Sequence, residues 1–112
     1  MSRPAIHPGA ILGVEIDCLQ MSAAEVARAL HVPPNRVSQI LNGQRAITAD
    51  TALRLGRWLG TSPEFWLNLQ RQYDLPLAEL EAGEEIRRTV VPPDRSSLKV
   101  GELRTADRGQ AS

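Results

Sequence analysis

The sequence predicts an all-α protein, a bundle of five to six helices. Three observations carry that expectation. Apolar residues recur at three- and four-residue spacing, the period of one helix face. Capping residues and prolines stand where these runs begin, and glycines where several of them end. No stretch alternates apolar and polar residues as a half-buried strand does.

The elements follow in order. His7-Pro8-Gly9 opens a first helix, with proline near the start, where its missing N–H costs little. Leu12, Ile16 and Leu19 fall on one face of it, and Cys18 is expected to pack. Ser22 with Glu25 three residues on forms a capping box and starts a second helix, whose inner face is Val26, Ala27 and Leu30. A short break at His31-Val32-Pro33 leads to a third helix with Pro34 in first position and Val37, Ile40 and Leu41 on the apolar side. It stops at Asn42-Gly43, where glycine takes the left-handed conformation.

Thr48 is the expected cap of a fourth helix, with Asp50 favourable at its positive end and Ala52, Leu55 and Leu59 buried. Gly60 ends it. Ser62-Pro63-Glu64 is the strongest helix start in the chain: cap, proline, acid. Phe65, Trp66, Leu69 and Tyr73 follow, and with Trp58 these aromatics are expected to close the core. Leu75 to about Arg88 reads as a marginal sixth helix interrupted near Gly83. Val90-Val91-Pro92-Pro93 ends it, and residues 94–112, polar and without periodicity, are expected to be a mobile tail. One small domain is expected over residues 1–80, with 81–112 an acidic helix end and tail.

Composition narrows the function. A hydrophobic content of 42% with 23% charged residues is that of an ordinary globular protein. The net charge is zero, but its distribution is uneven: residues 19–72 carry a net +3 and residues 73–88 a net −3. A basic middle fits a phosphate-binding module and the acidic stretch a basic partner, though ordinary surface charge gives the same values. A single cysteine excludes an internal disulfide and fits a reducing cytoplasm. No apolar run approaches the roughly 20 residues needed to span a bilayer, and the N-terminus lacks a secretory apolar region. The protein is expected in the cytoplasm, with no membrane partner. His7 and His31 have no carboxylate at a catalytic or metal-ligand spacing, and there is no glycine-rich phosphate loop. No catalytic residue, metal or cofactor is expected.

Residues Ser22–Gly43 meet the physical demands of a helix-turn-helix. Ala27 is the small residue where the helices cross, Val32 plugs the turn, and Val37 and Ile40 face inward. The other side of the third helix holds Asn35, Arg36, Ser38 and Gln39, all able to hydrogen-bond in a major groove about 12 Å wide. Gln39 and Asn35 have the chemistry to pair with adenine; the plain alternative is a solvated surface amide. Arg36 can reach guanine or phosphate, and Ser38 is a weaker candidate for the same groove. Arg45 follows the helix in a loop placed to pass the sugar-phosphate backbone. Asn42 and Arg28 are further backbone candidates, although Asn42 can instead cap its own helix. Arg54 and Arg57 read as solvated helix residues.

Ser22–Gly43 resembles the helix-turn-helix of the Xre (Cro/C1-type) repressors, a lambda-repressor-like bundle. The wider run resembles the HigA/VapI group of antitoxins: His7-Pro8-Gly9, Leu41-Asn42-Gly43-Gln44-Arg45, Ile47 to Leu55 and Thr61 to Gln70. The resemblance covers roughly residues 5–80. It implies an antitoxin of a type II toxin–antitoxin pair that blocks a small basic RelE/HigB-like ribonuclease toxin. It also implies a homodimer on double-stranded, palindromic operator DNA that represses the pair. A stand-alone repressor of the same fold shares all the DNA chemistry and differs only in lacking a toxin.

Two departures from the family pattern stand out. His31 occupies the turn position usually held by glycine, where a positive φ is least rare for Asn, Asp and His. Pro33-Pro34 open the recognition helix in place of polar residues, which moves base contact on to Asn35, Ser38 and Gln39. For the toxin, the acidic stretch Glu79–Glu85 is the candidate surface, with a solvated helix face as the equal alternative. Residues 62–80, with spare aromatic and leucine surface, are the candidate dimer face.

Overall fold

The computed structural model describes residues 6–94. The described residues hold five helices: α1 Pro8–Leu19, α2 Ala23–Leu30, α3 Pro34–Leu41, α4 Ala49–Leu59 and α5 Pro63–Thr89. The chain divides into two compact units, residues 1–82 and 83–112, each taken by itself below.

In the first unit, α3 packs on α2 and α1, and α2 packs on α4. Leu12, Ile16, Val26, Ala27, Leu30, Val37, Ile40, Ile47, Ala52, Leu55 and Trp66 form the buried core. Val32 plugs the α2–α3 turn against it, half-buried, as the sequence predicts.

The start of α1 is built around close approach. His7 Nδ1 accepts a hydrogen bond from Gly9 N–H at 2.9 Å, capping the helix ahead of Pro8. A β-carbon at Gly9 would overlap the Ile40 carbonyl oxygen, so only glycine lets α1 cross the end of α3 there. At the other end of α1 two expectations fail. Leu19 is 47% exposed, and Cys18, on α1 itself, is exposed. The helix closes with Gln20 in the left-handed region and Met21 N–H donating to the Ile16 carbonyl. That closure turns Met21 on to the core in place of the last helical residue.

The α2 capping box is complete: Ser22 Oγ accepts from Glu25 N–H at 3.1 Å and Glu25 Oε1 from Ser22 N–H at 2.8 Å. His31 adopts φ +59°, the conformation a glycine would take more easily. Pro33 precedes α3 with no side-chain cap and Pro34 occupies its first position. Gly43, at φ +77°, follows the Asn42 cap. Thr48 caps α4 through Thr51 N–H, and Ser62 accepts from Phe65 N–H at 3.1 Å to start α5.

Only part of the aromatic cluster is core. Trp66 is fully buried, its Nε1–H donating to Thr61 Oγ1 at 2.9 Å. Trp58 is half-buried against the core. Phe65 is 42% exposed, its ring edge-on to Trp66, because it lies one residue, about 100° of helix, off the buried face.

The predicted sixth helix is a continuation of the fifth. α5 runs unbroken through Pro76 and Gly83 to Thr89. Leu, Ala and Glu fill positions 77–82, and one glycine in such a run costs only about 1 kcal/mol. In the second unit the helix ends with Thr89 Oγ1 donating to the Glu85 carbonyl, and Val90 and Val91 are exposed. The predicted tail falls almost wholly on residues 95–112, which lie outside the described residues.

Candidate nucleic-acid interface

Asn35, Ser38, Gln39 and Asn42 are spaced i, i+3, i+4 and i+7, so they share one face of α3 and its cap. Val37 and Ile40, 1% exposed each, pin the opposite face into the core. Asn35 and Asn42 are exposed; Ser38 and Gln39 are half-buried. The Ser38 hydroxyl donates to the Asn35 carbonyl at 3.2 Å, so its oxygen still has acceptor capacity to offer outward. Asn42 N–H donates to the Ser38 carbonyl, closing the helix with the backbone and leaving the amide side chain out of the cap.

Gln39 and Arg45 act as a pair. Arg45 Nε–H donates to Gln39 Oε1 at 2.8 Å. One lone pair of that oxygen and both amide hydrogens remain for a base edge, and the outer guanidinium nitrogens remain for a phosphate. The loop carrying Arg45 is fastened at both ends. Gln44 N–H donates to the Gln39 carbonyl at 2.8 Å, and Ile47 N–H donates to Gln70 Oε1 at 2.7 Å.

Arg36, one residue round the helix from Asn35, is paired within the protein. Its Nη1 lies 3.0 Å from Asp50 Oδ2, tying α3 to α4. The same oxygen accepts from Arg54 Nε–H at 2.9 Å, and Arg54 Nη1 donates to the Leu30 and His31 carbonyls at 2.9 and 3.2 Å. Arg54 is therefore more than a solvated residue: though partly exposed, it caps the open end of α2 at the turn before α3. The Arg54 hydrogen bond, aided by the charges of Arg54 and Arg36, holds the Asp50 carboxyl below its ordinary range against a smaller opposing effect of desolvation. Arg28 is exposed on α2.

Sequence reading missed two residues. Arg54 stands four residues after Asp50, a pairing spacing that was visible. Gln70 stands one helical turn after the buried Trp66, a polar residue on a core-facing position. Among the described residues no group of three or more His, Cys, Asp or Glu is placed to hold a metal ion, and no helix is long and apolar enough to cross a membrane.

Known proteins match the chain over the same region. The helix-turn-helix family profile matches residues 19–66. The chain is 53% identical over 77 residues to virulence-associated protein I of Dichelobacter nodosus, covering 68% of this chain and 71% of that protein. Among solved structures, a HigA-family addiction module antidote protein from Coxiella burnetii superposes with a TM-score of 0.74 at 54% identity, covering 82% of this chain and all of the other. The Pseudomonas aeruginosa antitoxin HigA, solved with the higBA promoter, gives 0.74 at 45% identity, covering 80% and 98%.

Proposed function

The chain belongs to the HigA/VapI group of Xre-type helix-turn-helix proteins, and from that premise we propose that it is a DNA-binding antitoxin that represses its own operon. One observation carries the DNA half: the polar face of α3 stands clear of the core beside an arginine already held in place by Gln39. A relative of the same fold is solved with promoter DNA.

On this reading α3 enters the major groove of operator DNA. Asn35 and Gln39 read base edges, with Ser38 a further contact. Arg45, Asn42 and Arg28 meet the backbone, which fixes register without reading sequence. Arg36 anchors α3 on α4 through Asp50. A homodimer presents two α3 helices to half-sites about one helical turn apart. Its interface lies on residues 62–80, where Phe65, Leu75 and Leu80 are 42%, 61% and 83% exposed. The protein works in the cytoplasm and without catalysis.

The toxin half is a small basic RelE/HigB-like ribonuclease, blocked with help from the acidic stretch Glu79–Glu85 by charge complementarity. The test is footprinting of the purified protein on its own promoter, with and without the product of the neighbouring reading frame. Protection by the protein alone, extended or altered by a co-purifying basic partner, supports the whole reading. Protection with no associating partner leaves a stand-alone repressor, and no protection rejects both. Glu81→Lys with Glu84→Lys and Glu85→Lys is expected to weaken toxin capture; undiminished capture rejects the acidic surface.

A further inference from the structure

Gln70 lies on α5, away from the polar face of α3, and nothing in the helix-turn-helix requires it. It is 7% exposed, one of two polar residues buried in the described core. Burying an amide is costly unless its groups are paired, and here both ends are. Oε1 accepts from Ile47 N–H at 2.7 Å and Nε2 donates to Asp74 Oδ1 at 3.0 Å.

The bond to Ile47 does what no helix can do there. Ile47 sits in the connection between α3 and α4, with its side chain 2% exposed in the core. Its N–H is buried outside any helical ladder, and an unpaired buried N–H costs about 1–3 kcal/mol. Gln70 supplies the acceptor, and Asp74 fixes which way the amide faces. Arg45 lies two residues before this anchor, at most about 7 Å of extended chain away. Its other restraint is Gln39. The segment carrying Arg45 is thus restrained by α3 through Gln39 and by α5 through Ile47.

We propose that Gln70 is a positioning residue for DNA binding: through Ile47 it holds the α3–α4 loop so that Arg45 meets a phosphate. This rests on the DNA-binding reading above and adds to it a residue that never touches DNA.

The test measures binding of the full-length protein to its promoter fragment across a salt series, with circular dichroism to confirm folding. Gln70→Met keeps the length and removes the acceptor. It is expected to weaken binding roughly tenfold and lower the salt slope by about one. In an Arg45→Ala background it is expected to add almost nothing. Gln70→Glu together with Asp74→Asn exchanges donor and acceptor, restores both bonds, and is expected to recover wild-type affinity and slope. Should Gln70→Met fail to fold, Gln70→Glu alone serves as the weakened variant that Asp74→Asn rescues. An unchanged slope, an equal loss in the Arg45→Ala background, or a failed rescue overturns the proposal. A wild-type protein that does not bind the promoter instead removes the DNA reading, and this role with it.

Discussion

Arg45 Nε–H donates to Gln39 Oε1 at 2.8 Å, so the residue proposed to read a base and the residue proposed to grip the backbone restrain each other. The bond joins the second turn of α3 to the loop behind it. On the proposed reading it gives base contact and backbone contact a common support.

Removing Arg45 is expected to weaken binding to every duplex, because phosphates are the same in all sequences. Arg45→Ala is predicted to lower the slope of log K against log salt by about one, the signature of one lost phosphate contact. Titrations at four or more salt concentrations read it, and an unchanged slope excludes the contact.

Arg54 closes the end of α2 and holds Asp50 at once. Arg54→Ala is predicted to cost about 1–2 kcal/mol in urea denaturation, a charged hydrogen bond discounted for partial exposure. Arg57, exposed on the next turn, is predicted to change stability by less than about 0.5 kcal/mol when cut to alanine. Equal effects of the two would reject the capping role.

Asp50 and Glu25 both titrate below their ordinary values, Asp50 first through its bond from Arg54 and Glu25 first through the Ser22 backbone N–H. A carboxylate with a lowered folded-state pKa stabilises the fold above its unfolded pKa, and that contribution disappears as pH falls through the folded value. Stability is therefore predicted to fall with acid below about pH 4. Melting curves of Asp50→Asn and Glu25→Gln from pH 7 to pH 2 are expected to show a flatter acid limb than wild type. An identical acid limb would rule these two groups out.

Gly9 lets α1 cross the end of α3. Gly9→Ala is predicted to destabilise the protein by about 2 kcal/mol or more, since backbone must move to admit one methyl group. Denaturant midpoints measure it. A variant as stable as wild type would show that the two helices separate freely.

Much of this molecule is legible in its residues because the signals are local. Ser22 with Glu25, Thr48, and Ser62 ahead of Pro63 mark helix starts through bonds spanning three residues, and all three caps form. The left-handed turn at His31 is readable because its neighbours already fix two helices around it. The misses are long-range. The Arg54 bond to Leu30 spans 24 residues and the Gln70 bond to Ile47 spans 23, and no periodicity announces either. Phe65 and Leu19 looked like core because their neighbours are, yet a single residue of helix rotation or a chain reversal puts them in solvent. α5 continues through Pro76 and Gly83, its two poorest helix formers, where local propensity reads a break.

The most direct test of the account compares Gln39→Ala with wild type on the promoter operator and on a scrambled duplex of the same length. The predicted result is a loss on the operator that exceeds the loss on scrambled DNA, where only the released Arg45 is felt, by about 1–3 kcal/mol, with relaxed preference at one base pair. Equal losses on both duplexes, or wild-type discrimination retained without Gln39, would contradict base reading by α3.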